Sequence, residues 1–176
     1  MSMAQYGAIT QIGMVVEDLD ASLKRWIDVM GVGPWTVFRN VTLNGRYRGQ
    51  DTVVMMDVGL AYQGETQVEL IHVTNGAVSP YLKDDGTPLA GLHHLAWITD
   101  DLDAIVTQAE RDGLQVVFQA ESPGTRVVYL EAKGENGILF EFIESPQTKQ
   151  LIIDGIAATR SWNGSNPIHT IDFAAL

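Results

Sequence analysis

The chain has 176 residues, 45% of them hydrophobic, and a formal charge of −11 from 22 acidic and 11 basic residues. That length suits one compact domain or two fused small modules with a real core, and so acidic a surface argues against nucleic acid or anionic membrane as partners. With no cysteine present, disulfides, thiol nucleophiles and thiolate-held metals are excluded, so a metal has only His, Asp, Glu, Gln or Asn to hold it.

No apolar run approaches a membrane span and "MSMAQYGAIT" has no signal-peptide pattern, so a soluble, cytoplasmic protein is the expectation. The first strand is expected in "QIGMVVEDLDA", Gln11 to Ala21. After it, Leu19, Leu23, Trp26, Ile27 and Met30 fall at helical spacing, with Asp18 or Asp20 to cap and Gly31 to stop the helix. Three strand candidates follow: "WTVFRNV", "DTVVMMDV" and "QVELIHV", separated by turns at "NGR" and "QGE". A stretch rich in Gly, Pro and Asp reads as a linker.

The pattern then repeats. "HLAWITDDLDA", His94 to Ala104, aligns with Gln11 to Ala21 without a gap, down to a shared Asp-Leu-Asp-Ala. Leu102, Ile105, Val106 and Ala109 have helical spacing, with Asp101 or Asp103 as the cap and Gly113 as the stop. "LQVVFQA", "TRVVYLEA" and "GILFEFIE" read as strands, with turns at "SPG" and "KGENG". The expected fold is α+β: two tandem βαβββ modules forming a curved mixed sheet around a metal site, with a C-terminal helical extension. The boundaries read as 8–75 for the first module, 76–91 for the linker, 92–146 for the second module and 147–176 for the extension. In that extension residues 149–162 read as a short helix, the remainder as irregular, and His169 as a surface or packing residue.

Polar residues that interrupt apolar strands mark a candidate site. A carboxylate on a core-facing strand is costly unless it is paired or bound to metal. Glu69 and Glu141 interrupt the last strand of each repeat at the same place. Gln11 and His94 open the first strand of each. If the modules pack about a pseudo-twofold axis, these four groups converge on it. Such a set suits an oxygen-rich, six-coordinate divalent ion better than a closed tetrahedral zinc. Strand alternation separates the adjacent histidines and gives His94, which aligns with Gln11, the inward place; His93 is expected on the other face. The same alternation turns His72 away from Glu69, and Trp97 away from His94.

These residues resemble the vicinal oxygen chelate superfamily, which includes glyoxalase I, methylmalonyl-CoA epimerase, extradiol dioxygenases and the bleomycin and fosfomycin resistance proteins. The resemblance spans about Ile9 to Glu144 and rests on the strand-borne ligand, "VEDLDASLKRW", and the closing "VELI" and "FEFIE". It implies metal ligands at Gln11, Glu69, His94 and Glu141, a set similar to that of zinc-type glyoxalase I. The short "GVGPW" and the two-module length look more like the epimerase-like branch. The resemblance further implies one divalent ion (Zn, Co, Ni, Mn or Mg) and proton removal next to a carbonyl with a metal-stabilised enediolate. The base would be Glu141, with Glu69 the second candidate. The substrate would be a small-molecule carbonyl compound or acyl-CoA, and a homodimer is expected from family habit. The alternatives are an extradiol-type dioxygenase and a metal-free small-molecule binding or resistance protein. Tyr47, Met55, Met56 and Trp35 are candidate pocket residues, and Arg39, Arg46 and Arg48 are candidates for an anionic group.

Overall fold

The computed structural model of the chain describes residues 4–134 and 137–175. The elements are β1 (Gln11–Val15), α1 (Leu19–Asp28), β2 (Trp35–Tyr47), β3 (Gln50–Gln63), β4 (Thr66–Val73), β5 (Gly91–Thr99), α2 (Leu102–Arg111), β6 (Leu114–Ser122), β7 (Thr125–Ala132), β8 (Leu139–Glu144), α3 (Thr148–Ser161) and β9 (Ile168–Asp172). The fold is α+β, and the order β-α-β-β-β occurs twice, as the repeat implies. Part of "KGENG", residues Glu135 and Asn136, lies outside the described residues.

Eight strands form one curved mixed sheet in the order β3-β4-β1-β5-β8-β7-β6-β2, and β2 pairs back with β3 to close a barrel. The helices α1 and α2 each start on the first of their two candidate aspartates: Asp18 accepts from the Ala21 N–H and Asp101 from the Ala104 N–H, each at 2.9 Å. Such a cap contributes about 1 kcal/mol. The apolar stripe of α1, led by Leu19 and Leu23, packs outside the barrel on Trp35, Val68 and Leu70. The α2 stripe packs on Val128, Leu130 and Phe142. Alternation along the same strands sends Val58, Ile71, Phe118 and Tyr129 into the barrel.

Two readings of the sequence need correction. "NGR" is no turn, because β2 runs through Asn44 and Gly45 and pairs there with both β3 and β6. A Cβ on Gly45 would meet the Gln119 carbonyl oxygen and Ala120, so the glycine lets β6 approach closely. The turn comes later, at Arg48 and Gly49, both with positive φ. The segment beyond α3 is not irregular either. It returns as β9, parallel to Trp35–Arg39 of β2. The helix α3 lies against β3, and a Cβ at Gly155 would overlap the Tyr62 ring. Among the described residues, no helix is long and apolar enough to cross a membrane.

Candidate metal centre

Strand register assembles the centre from two adjacent rows across β4, β1, β5 and β8. One row holds Gln67, Gln11, Ala96 and Glu141, and the next holds Glu69, Gly13, His94 and Leu139. In the two repeats Gly13 and Ala96 are equivalent, and each stands opposite the other half's polar residue. Those small residues leave room at the middle. A Cβ on Gly13 would overlap the His94 ring, so the imidazole lies over bare backbone.

Three oxygens converge on His94 Nε2. Gln11 Oε1 lies at 3.2 Å, Glu69 Oε2 at 3.2 Å and Glu141 Oε2 at 3.0 Å. The structure thus brings together all four residues singled out in the sequence. Ligand atoms of Glu69, His94 and Glu141 lie within 4.8 Å of one another, a group able to hold a metal ion. Gln11, His94 and Glu141 are buried, and Glu69 keeps 15% of its side chain exposed.

Outer contacts fix the direction of each donor. Gln11 donates its amide N–H to Gln67 Oε1 at 2.7 Å, which turns its own oxygen toward the centre. Gln67 in turn donates to the Tyr62 hydroxyl at 2.6 Å. On the other side, His94 Nδ1 meets His93 Nδ1 at 3.0 Å, and His93 Nε2 meets the Pro80 carbonyl oxygen at 2.9 Å. The carbonyl can only accept, so His93 Nε2 carries a proton and the neutral His93 Nδ1 accepts from His94. With its Nδ1–H held by His93, Nε2 is the His94 nitrogen left to face the three oxygens. Nitrogen-bound metals are commonly held by histidines fixed in this way.

His93 therefore does not point to the opposite face. The register of β1 on β5 runs Gly13 to His94 and then Met14 to Leu92, leaving His93 as an extra residue. This β-bulge breaks the alternation. His93 is buried and stacks on Tyr81, with ring centroids 4.9 Å apart. Gln67 also went unnoticed in the sequence, although it precedes Glu69 by two residues and so shares its face.

The electrostatics ask for a positive charge. Burial raises the Glu69 pKa above the ordinary carboxylate value; Glu141 adds to this and His94 opposes it. For His94 burial acts downward, yet Glu141 and Glu69 together hold its pKa up at about 10. Burial, reinforced by His94, pushes His93 down to about 3. Glu141 Oε2 is buried without a hydrogen-bond partner, 3.0 Å from His94 Nε2. One imidazole nitrogen, two carboxylates and an amide oxygen fit a hard or borderline divalent ion.

The centre forms part of the wall of a cavity of about 490 Å³. Gln11, Glu69, Glu141 and Met56 line it, together with apolar side chains of the barrel interior and one face of α3. The other pocket candidates lie elsewhere. Trp35 is buried beneath α1 and donates to the Val32 carbonyl oxygen. Met55 faces outward, and Tyr47 packs against Phe118. The arginines are engaged outside: Arg39 with Asp20 and Asp57, Arg46 with Asp51, and Arg48 with both oxygens of Glu131. His72 sits beside the Val16 carbonyl oxygen, and Trp97 packs on Phe142.

The family model described as Glyoxalase/Bleomycin resistance protein/Dioxygenase superfamily matches residues 10–129. That span contains Gln11, Glu69 and His94, and Glu141 follows on β8. Methylmalonyl-CoA epimerase from Mycobacterium tuberculosis has a similar structure, with 18% identity, 86% of this chain and 96% of its own covered, and a TM-score of 0.55. The hypothetical protein BH1468 from Bacillus halodurans C-125 is similar at 18% identity, over 78% of this chain and 94% of its own, with a TM-score of 0.51. No curated protein matches the chain. At that identity the two solved structures speak for the fold, and the matched family model covers well over half the sequence. The chain belongs to the glyoxalase/bleomycin resistance protein/dioxygenase superfamily.

Proposed function

We propose that this protein is a metal-dependent isomerase, epimerase or lyase that removes a proton next to a carbonyl group of a small molecule. The observation that carries the reading is the pair of inward carboxylates, Glu69 and Glu141, flanking one imidazole at a cavity wall. Gln11, Glu69, His94 and Glu141 would hold one Zn, Co, Ni, Mn or Mg ion. When bound, that ion supplies Lewis-acid charge beside a carbonyl oxygen and so acidifies the neighbouring carbon.

The chain's own groups do the rest. Glu141 takes the proton, and Glu69 is the second base, available to return one. They stand on β8 and β4, on either side of the β1–β5 pair, so they approach a bound molecule from two directions. That arrangement suits inversion at a carbon, whereas a single shuttling carboxylate suffices for an isomerase. Burial raises the pKa of Glu69 above the ordinary carboxylate value, which favours its taking up a proton. Each half, read as residues 8–75 and 92–146, contributes one donor from its first strand and one carboxylate from its last. An extradiol dioxygenase uses two imidazoles and one carboxylate, and this centre offers one imidazole and two carboxylates.

The test is deuterium wash-in from heavy water, followed by NMR at the carbon next to the carbonyl, across a panel of ketones, α-keto acids and acyl thioesters. Metal-loaded protein is expected to exchange at least one member. Glu141→Gln is expected to slow exchange by about 10²–10⁴-fold. No exchange anywhere in the panel by the metal-loaded protein would overturn the reading.

A further inference from the structure

Resting on the reading of the cavity as the substrate site, the geometry points to a substrate that is uncharged and largely apolar around its carbonyl, not a CoA thioester or a glutathione adduct. At about 490 Å³ the cavity falls within the roughly 300–1,000 Å³ of small-molecule sites. Beyond the centre its wall is largely aliphatic and aromatic, with Phe38, Leu43, Val58 and Ile143 among the lining residues.

Among the described residues, no Lys or Arg lines it. The basic side chains on the bordering elements are committed outside. Arg126 of β7 pairs with Asp103 and Glu144, Lys149 of α3 with Asp100, and Arg160 of α3 with Glu65. The charged lining residue contributed by α3 is Asp154, whose side chain is exposed. A phosphate or carboxylate entering the cavity meets an acidic side chain and an apolar wall, losing its hydration without a partner. The net charge of −11 adds long-range repulsion to the same effect. A neutral ketone or aldehyde with an aromatic or alicyclic body loses little on entry, and its carbonyl oxygen is the one polar atom that must reach the centre.

Calorimetric titration of full-length, cobalt-loaded protein tests this. Acetophenone and benzophenone serve as neutral probes, and propionyl-CoA and S-lactoylglutathione as anionic ones. The neutral ketones are expected to bind at least about tenfold more tightly than either anion. Ala158→Trp, which fills the α3 side of the cavity from an exposed position, is expected to weaken ketone binding about tenfold with cobalt content unchanged. Leu151→Trp is a second variant of the same kind should the first fail to fold. Anion binding as tight as ketone binding overturns the inference, as does absence of ketone binding, or ketone binding that neither variant alters. The titration involves no turnover. Wash-in without ketone binding rejects this substrate class and keeps the proton chemistry; ketone binding without wash-in does the reverse.

Discussion

His93 stands behind His94 as the acceptor of its Nδ1–H, stacked on Tyr81 and anchored to the Pro80 carbonyl oxygen. Its contribution is to the aim of the His94 ring, so it is a positioning residue. His93→Phe keeps a ring for Tyr81 to stack on and removes the acceptor. It is expected to lower divalent-metal affinity about 10–100-fold, measured by competition with a chelator, while the protein stays folded. Unchanged affinity would reduce His93 to a packing residue. The pKa shift of His94 has its own consequence in chelator-treated protein. The group titrates at about 10 in the fold and near 6.5 in the unfolded chain. Between those values the native state binds more protons, so its stability contribution is complete below pH 6.5 and is lost as pH rises through 10. The melting temperature of the metal-free protein is expected to fall across that window, and more steeply than that of His94→Gln. Parallel curves for the two proteins would show that His94 is not held in this way.

At the scale of the element, Gly13 is what β1 gives up so that β5 can place a ring against it. Gly13→Ala puts a methyl group where the imidazole lies. It is expected to abolish stoichiometric metal binding and to cost about 1–3 kcal/mol of stability, read by metal analysis and chemical denaturation; retention of both would show that the ring can move aside freely. Much of this was legible in the sequence. Glu69 and Glu141 stood out as carboxylates interrupting apolar strands at the same place in each repeat, the Asp-Leu-Asp-Ala repeat marked both helix starts, and the gapless alignment matched Gln11 with His94. What escaped depends on neighbours along no single strand. The bulge at His93 is set by pairing with β1. The glycine of "NGR" answers to β6, more than 70 residues on. Strand β9 is short and mostly exposed, with no internal apolar pattern to announce it. Gln67 needed only the alternation already applied to Glu69, so that signal was available.

At the scale of the whole molecule, the strand order β4-β1-β5-β8 at the middle of the barrel collects all four donors within one chain. Metal content is therefore expected to saturate at one ion per chain and to stay there on dilution, whatever the protein's association state. Content that falls with dilution would mean that a second copy completes the centre. The two-halves architecture was readable from the repeat, but the seam between β2 and β6 was not, since it joins segments with no sequence likeness. Closure of the barrel has a bearing on how the protein keeps from sticking to itself. Within the closed barrel each of the eight strands is paired on both sides, and where β2 parts from β6 its first residues, Trp35–Arg39, are covered by β9, a short strand that becomes the outermost one. Removing everything after Ser161 uncovers that row of amide and carbonyl groups. The shortened protein is expected to form oligomers or fibrils at concentrations where the full chain stays dispersed, visible by light scattering. The final residues are thus a guard on an exposed edge, quite apart from any part they play beside the cavity.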